Sequence, residues 1–254
     1  FLSRLFPLAF ALIIISDLNS KFKILISILL FILIDVLVFL SGERTSFFYT
    51  TLTCVMLIVF MNKYKLIRLI TFVVSLILIT VISINYSSVR ERMIDNTVAQ
   101  MGLEENKRTY VFSWKHHNIY SNSIKMFKNS PIIGYGPKSY RSICLEDGYE
   151  KIHCSTHSHN TYLQLLVETG VFGFVLILGI FTYLTYKLFE KFLALIKRPS
   201  QKLITDYQVC LIIAIYISLW PLAPSMNFFG SWISIIYFLP VGFYLASNVN
   251  TNVR

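Results

Sequence analysis

His157 and His159 stand two residues apart, in the run His-Ser-His-Asn-Thr-Tyr-Leu-Gln at 157–164, where a long polar stretch meets a strongly apolar one. All five histidines of the chain (His116, His117, His153, His157 and His159) fall in that polar stretch, and none lies in an apolar block. Imidazole titrates near neutral pH. Held at the lip of a membrane beside Lys and Arg, it suits proton transfer on a substrate that is part lipid and part water-soluble.

Other polar residues are spaced to join it. Thr156 and Ser158 are good capping types, which predicts a helix starting near His159. From there Asn160, Gln164 and Glu168 recur every four residues and share one helical face. A polar stripe on an otherwise apolar helix should face a protein interior or a wet cavity; the plainer reading is that it bonds to neighbouring helices and caps the helix end. Arg44 follows Ser41, Gly42 and Glu43 in a short gap between two apolar segments. A guanidinium fixed in such a gap can grip a phosphate or pyrophosphate through two N–H groups, although Arg at an interface also simply reaches lipid headgroups. Asp35 is either its partner or a separate polar contact. Lys138 and Arg141 follow the turn Gly134, Tyr135, Gly136, Pro137. Its backbone N–H groups, with those cations, would make an anion site. Arg90, Arg92 and Arg108 have no context that ranks them.

The elements that position these residues follow from composition. Of 254 residues 55% are hydrophobic and only 14% charged, and the mean hydropathy is +0.62. That is a membrane protein by composition. Apolar blocks of about the length that crosses a bilayer as helix suggest an all-α protein with about seven spans. These are Leu2–Ile15, Phe22–Leu40, Ser46–Met61, Leu66–Ile84, Thr161–Phe189, Tyr207–Leu219 and Phe229–Ala246. The division predicted is four helices in 1–85, an outer loop or cap in 86–159, and three helices in 160–254. The chain begins with Phe and its first block is short, so a longer bundle with further N-terminal helices is expected. No cleavable signal is visible.

Lys21, Lys23, Lys63, Lys65, Arg68, Lys187, Lys191, Lys197, Arg198 and Lys202 gather in three connections, which the positive-inside rule makes cytoplasmic. The long stretch and its histidines are then extracytoplasmic. Net charge +10 is in part this orientation signal, and no nucleic-acid partner is expected. Within the long stretch, residues 110–127 carry Phe112, Ile119, Ile124 and Phe127 at helical spacing, an amphipathic helix lying on the membrane surface and ended by Ser130 and Pro131. Trp220–Pro224 marks another outer loop, placed to complete a rim around a cavity. Cys54 and Cys210 are small core residues. Cys144 and Cys154 lie in an oxidising compartment at a spacing that favours a disulfide. Zinc on Cys144, His153, Cys154, His157 and His159 matches no familiar ligand spacing, and no metal is expected. Gly170, Gly173 and Gly179 suggest close helix packing.

The segment 157–173, with the upstream turn at 131–141 and the Ser-Gly-Glu-Arg run at 41–44, resembles the signature of the O-antigen ligase and O-antigen polymerase superfamily. The resemblance implies a multi-pass glycosyltransferase of the bacterial inner membrane, acting on its periplasmic side. Its donor would be a glycan on undecaprenyl pyrophosphate and its acceptor a glycan or lipid A core. It would sit among membrane lipids and use neither nucleotide sugar, cofactor nor metal. The family's histidine before Asn corresponds to His159 and its arginine after the Ser-Gly pair to Arg44. Arg141 matches a less uniform basic position. His157 and the cysteine pair fit a subgroup. His159 is thus the expected base and Arg44 the pyrophosphate clamp, with Lys138, Arg141, His157, Asn160, Gln164 and Glu168 toward substrate. His116, His117 and His153 fall back to surface or cap positions. Inverting single displacement is expected, by analogy with inverting glycosidases. The rivals are an O-antigen polymerase and, from another class, a lipid or solute transporter. A transporter should carry polar residues at the bilayer midplane, where this chain is mostly apolar.

Overall fold

A computed structural model describes residues 1–103, 109–110, 113–146, 148–149, 154–197 and 204–252. His153, Arg108, Phe112, Arg198 and Lys202 lie outside the described residues. The described residues are helical with no strand among them. The chain divides into two compact units. One comprises Phe1–Met93, Tyr183–Ser218 and Ile236–Arg254, the other Ile94–Thr182 and Leu219–Ile235.

The first unit holds α1 (Leu2–Ile15), α2 (Ser20–Leu40), α3 (Arg44–Phe60), α4 (Lys65–Asn85) and the short α5 (Ser87–Arg90), with α10 (Asp206–Ser218) packed on α1 and α3; the short α6 (Asn96–Met101) belongs to the second unit. Asn19 starts α2 by accepting the Phe22 N–H on its side chain at 2.9 Å. Leu25, Leu29, Leu33 and Leu37 recur every four residues along α2 and are all about half exposed. In a bilayer that stripe is lipid-facing. Among the described residues, α2, α4 and the long α9 (Thr161–Lys197) are long and apolar enough to cross a membrane. Leu2–Ile15, Arg44–Phe60 and Asp206–Ser218 are apolar but shorter. The sequence blocks suggested seven spans; length and composition support three. The reason is clearest in α10. Val209 to Ala214 are 0% exposed against α1 and α3, so its apolarity serves a protein core and not lipid.

The end of α2 explains the Ser-Gly-Glu-Arg run. Gly42 has φ +71°, the left-handed conformation that closes a helix, and its N–H bonds to Phe39 O. The chain then restarts, with Phe47 N bonded to Glu43 O, and Arg44 becomes the first residue of α3. Asp35 is fully buried and accepts the Ser75 hydroxyl of α4, which makes it a separate contact from Arg44.

In the second unit, α7 (Trp114–Asn129) and α8 (Tyr140–Cys144) meet the first turns of α9 around Ile119, Met126, Tyr140, Cys144 and Val167. Helix α7 ends at Asn129 as predicted, with Ser130 closing it. Its buried face differs from the one expected. Ile119, Asn122, Ser123 and Met126 point inward, and Ile124 is 46% exposed. The small polar residues win because Ser123 bonds the Ile119 carbonyl and the Tyr140 hydroxyl. Cys144 and Cys154 form a disulfide, their Cα atoms 5.6 Å apart, which ties α8 to the segment leading into the histidines.

Candidate active site

The helix that follows the histidines starts at Thr161, and its cap is Asn160 rather than Thr156 or Ser158. Asn160 Oδ1 accepts the N–H groups of Tyr162 and Leu163 at 3.0 and 3.1 Å, worth about 1 kcal/mol to the helix. Its amide donates to Pro221 O at 2.9 Å. Gln164, fully buried, donates to Asn227 Oδ1 at 2.7 Å and accepts the Phe228 N–H at 2.9 Å. Two members of the polar stripe therefore hold the 221–228 loop against α9.

The third holds the glycine turn. Glu168 is 1% exposed. Its Oε2 accepts the Lys138 N–H at 2.9 Å and the Gln164 amide at 3.2 Å, and Oε1 accepts the Tyr140 N–H at 3.3 Å. The turn's other N–H groups go to α9 as well: Tyr135 N to Val167 O and Gly136 N to Glu168 O, both at 2.9 Å. This corrects two expectations. The N–H groups of Tyr135, Gly136 and Lys138 are taken up by α9, the anion facing Lys138 N being Glu168 itself, and both Glu168 oxygens accept hydrogen bonds. The side chains of Lys138 and Arg141 remain exposed.

Gly170 makes this contact possible. It interrupts α9 with φ 65° and ψ −162°, a region only glycine adopts readily, and a Cβ there would collide with the Ile132 carbonyl. The approach is mutual, since a Cβ at Gly134 would lie 2.6 Å from Val167 O. Gly179, expected to pack closely, faces open space.

Against this frame His159 is held at φ 52°, uncommon for a residue with a side chain. Its carbonyl accepts the Ser225 N–H at 2.8 Å, and its Nε2 lies 2.8 Å from Ser155 Oγ. The His157 ring lies 4.2 Å away, centroid to centroid, and tilted by 41°, with its Nε2 3.3 Å from Ser225 O. Burial holds the His159 pKa below its ordinary value. His157 is held at about 4, by burial first and the His159 ring second, against the opposing pull of the Ser225 carbonyl. Both imidazoles are neutral at pH 7 and can accept a proton.

His116, expected at a surface or cap position, also stands beside His159. Its ring stands edge-on to His159 at 5.6 Å, and Nδ1 lies 2.8 Å from Ser113 Oγ. His117 is exposed and rests on Tyr110. Sequence reasoning also missed Ser155, Ser225 and Asn227. The proline-rich loop at 220–224 was the one pointer to the last two; nothing in the sequence marks Ser155. The disulfide engages both Cys144 and Cys154, which removes them as metal ligands. Arg44 lies in the first unit, half-buried at the head of α3.

Long apolar helices and two partly buried histidines just before the start of one of them define a helical membrane protein with a candidate site at that helix head. The chain matches the Wzy_C family, described as O-antigen ligase, over residues 26–178, more than half its length, and it belongs to that family. Membership makes it a bacterial membrane protein of the glycosyltransferase-like class, with a ligase- or polymerase-type role in polysaccharide biosynthesis and lipid-linked glycans as substrates. No curated protein matches the chain.

Proposed function

We propose that the chain is an O-antigen ligase of the bacterial inner membrane. It moves a glycan from undecaprenyl pyrophosphate to a sugar hydroxyl of a lipid A core on the periplasmic side. The reading rests on one observation above all: His159 is a neutral imidazole, fixed through its backbone by Ser225 and through Nε2 by Ser155. With Ser155 Oγ accepting the Nε2 proton, the lone pair sits on Nδ1.

In the proposed reaction the acceptor hydroxyl gives its proton to His159 as its oxygen attacks the anomeric carbon. A new C–O bond forms, the bond from carbon to the pyrophosphate oxygen breaks, and the diphosphate leaves with the electron pair. One displacement inverts the anomeric centre. Arg44 serves as the clamp on the diphosphate, where a planar fork matches two phosphate oxygens, and Arg141 and Lys138 add positive charge. No residue is assigned to a metal. His157, neutral and tilted against His159, places no positive charge beside the base.

The test is complementation of a deletion strain with the wild type or with His159→Asn. Asn tolerates the left-handed backbone but is no base. The variant should insert and accumulate while polymeric glycan builds up on the lipid carrier. Single-repeat caps on lipid A in the deletion strain would instead mark a polymerase, and normal surface glycan on the variant would end the assignment of His159.

A further inference from the structure

Within the first unit, the end of the bundle where α1 finishes and α2, α4 and α10 begin encloses a cavity of about 440 Å³. Sites for small ligands run from roughly 300 to 1,000 Å³. One wall is hydrocarbon, formed by Ile13, Ile14, Ile24, Ile28, Phe31 and Ile67. Apart from Phe31 these side chains are only half-buried, so the protein leaves the wall incompletely covered.

The polar part carries three cations, Lys23, Lys63 and Arg68, against one carboxylate, Asp206. That carboxylate is engaged: its oxygens accept the N–H groups of Asn62 and Lys63 at 2.9 and 3.2 Å. Lys23 donates to the Ile14 carbonyl at 2.9 Å. Arg68 is 6% exposed, with Nη2 on Met61 O at 3.0 Å and Nη1 on Lys63 O. Its Nε has no hydrogen-bond partner among the described residues. A guanidinium so deeply placed, bonded only to neutral carbonyls, gains from a nearby anion. The basic residues are the same ones that the positive-inside rule assigns to the cytoplasmic face.

Positive charge beside an open hydrocarbon wall fits an amphiphile, not a free anion, which would leave the isoleucines uncovered. We propose that this cavity binds one anionic phospholipid of the cytoplasmic leaflet, with its phosphate at Lys23 and Lys63 and an acyl chain along the isoleucine wall. The site is independent of glycan transfer and needs nothing from His159.

Native mass spectrometry of the purified, delipidated full chain tests it, with phosphatidylglycerol, phosphatidylcholine and inorganic phosphate as probes. One saturable phosphatidylglycerol adduct is expected, bound more tightly than phosphatidylcholine. Lys23→Gln and Lys63→Gln should each weaken it about fivefold, and the pair about 25-fold. Lys21→Gln and Lys65→Gln, basic neighbours that do not line the cavity, should change it less than twofold, a control for the same diffuse charge. Ile28→Trp, which fills the cavity without touching charge, should also remove the adduct while helix content by circular dichroism stays unchanged. Equal binding of the two lipids would overturn the proposal. So would equal weakening by Lys21→Gln and Lys65→Gln, displacement of phosphatidylglycerol by millimolar phosphate, or an adduct that survives Ile28→Trp.

Discussion

Replacing Glu168 by Gln separates a carboxylate that holds structure from one that touches substrate. In the folded protein three donors converge on its two oxygens, two of them backbone N–H groups of the glycine turn and its continuation. Gln keeps the shape but offers a single acceptor oxygen. The least damaging placement keeps oxygen toward Lys138 N and Gln164 and turns the NH₂ toward the longer contact at Tyr140 N. One charge-assisted bond is then lost outright, about 1.5–3 kcal/mol, and its buried donor faces another donor. The other two weaken as their acceptor becomes neutral. The sum is about 2–4 kcal/mol of local stability, a roughly 30- to 900-fold rise in opening of the turn. Hydrogen exchange followed by mass spectrometry on peptides covering 134–142 measures it directly. Exchange there should accelerate by that order, with little change in α2 or α4. Glycan transfer should fall partly, through loosening of the frame. If exchange is unchanged while transfer is abolished, Glu168 acts on substrate and the clamp argument is wrong.

Other outcomes follow from the same geometry. The acid limb of kcat/KM should have its midpoint below pH 6.5, the ordinary histidine value, because burial lowers the pKa of a base that must be neutral to work. Activity is lost only as pH falls through that lowered value, and a midpoint at or above the ordinary one would exclude His159 as the titrating group. Gly170→Ala adds a Cβ against the Ile132 carbonyl at a backbone angle only glycine adopts readily, which should cost about 3 kcal/mol or more and show as a lowered thermal midpoint. Arg44→Lys should lower transfer about 10- to 150-fold, the worth of one charge-assisted bond, with normal membrane levels. Wild-type transfer by that variant would reduce Arg44 to an interface anchor.

Much of this was legible before any coordinates. Composition pointed to a helical membrane protein, since sparsely charged apolar blocks of that length have few other stable forms. The His-Ser-His-Asn run marked the head of a helix, and the glycine after Ser41 marked the break that starts α3. Local signals of this kind survive because a cap or a left-handed glycine acts within one turn of chain.

What stayed hidden depended on residues far apart in sequence. Spacing put Asn160, Gln164 and Glu168 on one face but could not say what that face meets. Only the fold joins them to the 221–228 loop and the glycine turn, which supports the plainer reading that the stripe bonds to neighbouring elements. Likewise the apolar run at 207–219 reads as a span in one dimension, while the fold makes it a 13-residue helix whose apolar side chains face protein. Ser155 reaches His159 from beside the Cys144–Cys154 disulfide, Ser225 from the loop that Asn160 and Gln164 hold, and His116 from α7, and no local pattern encodes that. The sequence alone determined the class of element and singled out His159 as the candidate base. The tertiary structure decided which polar groups remain available for chemistry, because in a dry interior an unpaired donor is costly and most buried polar groups are engaged within the protein.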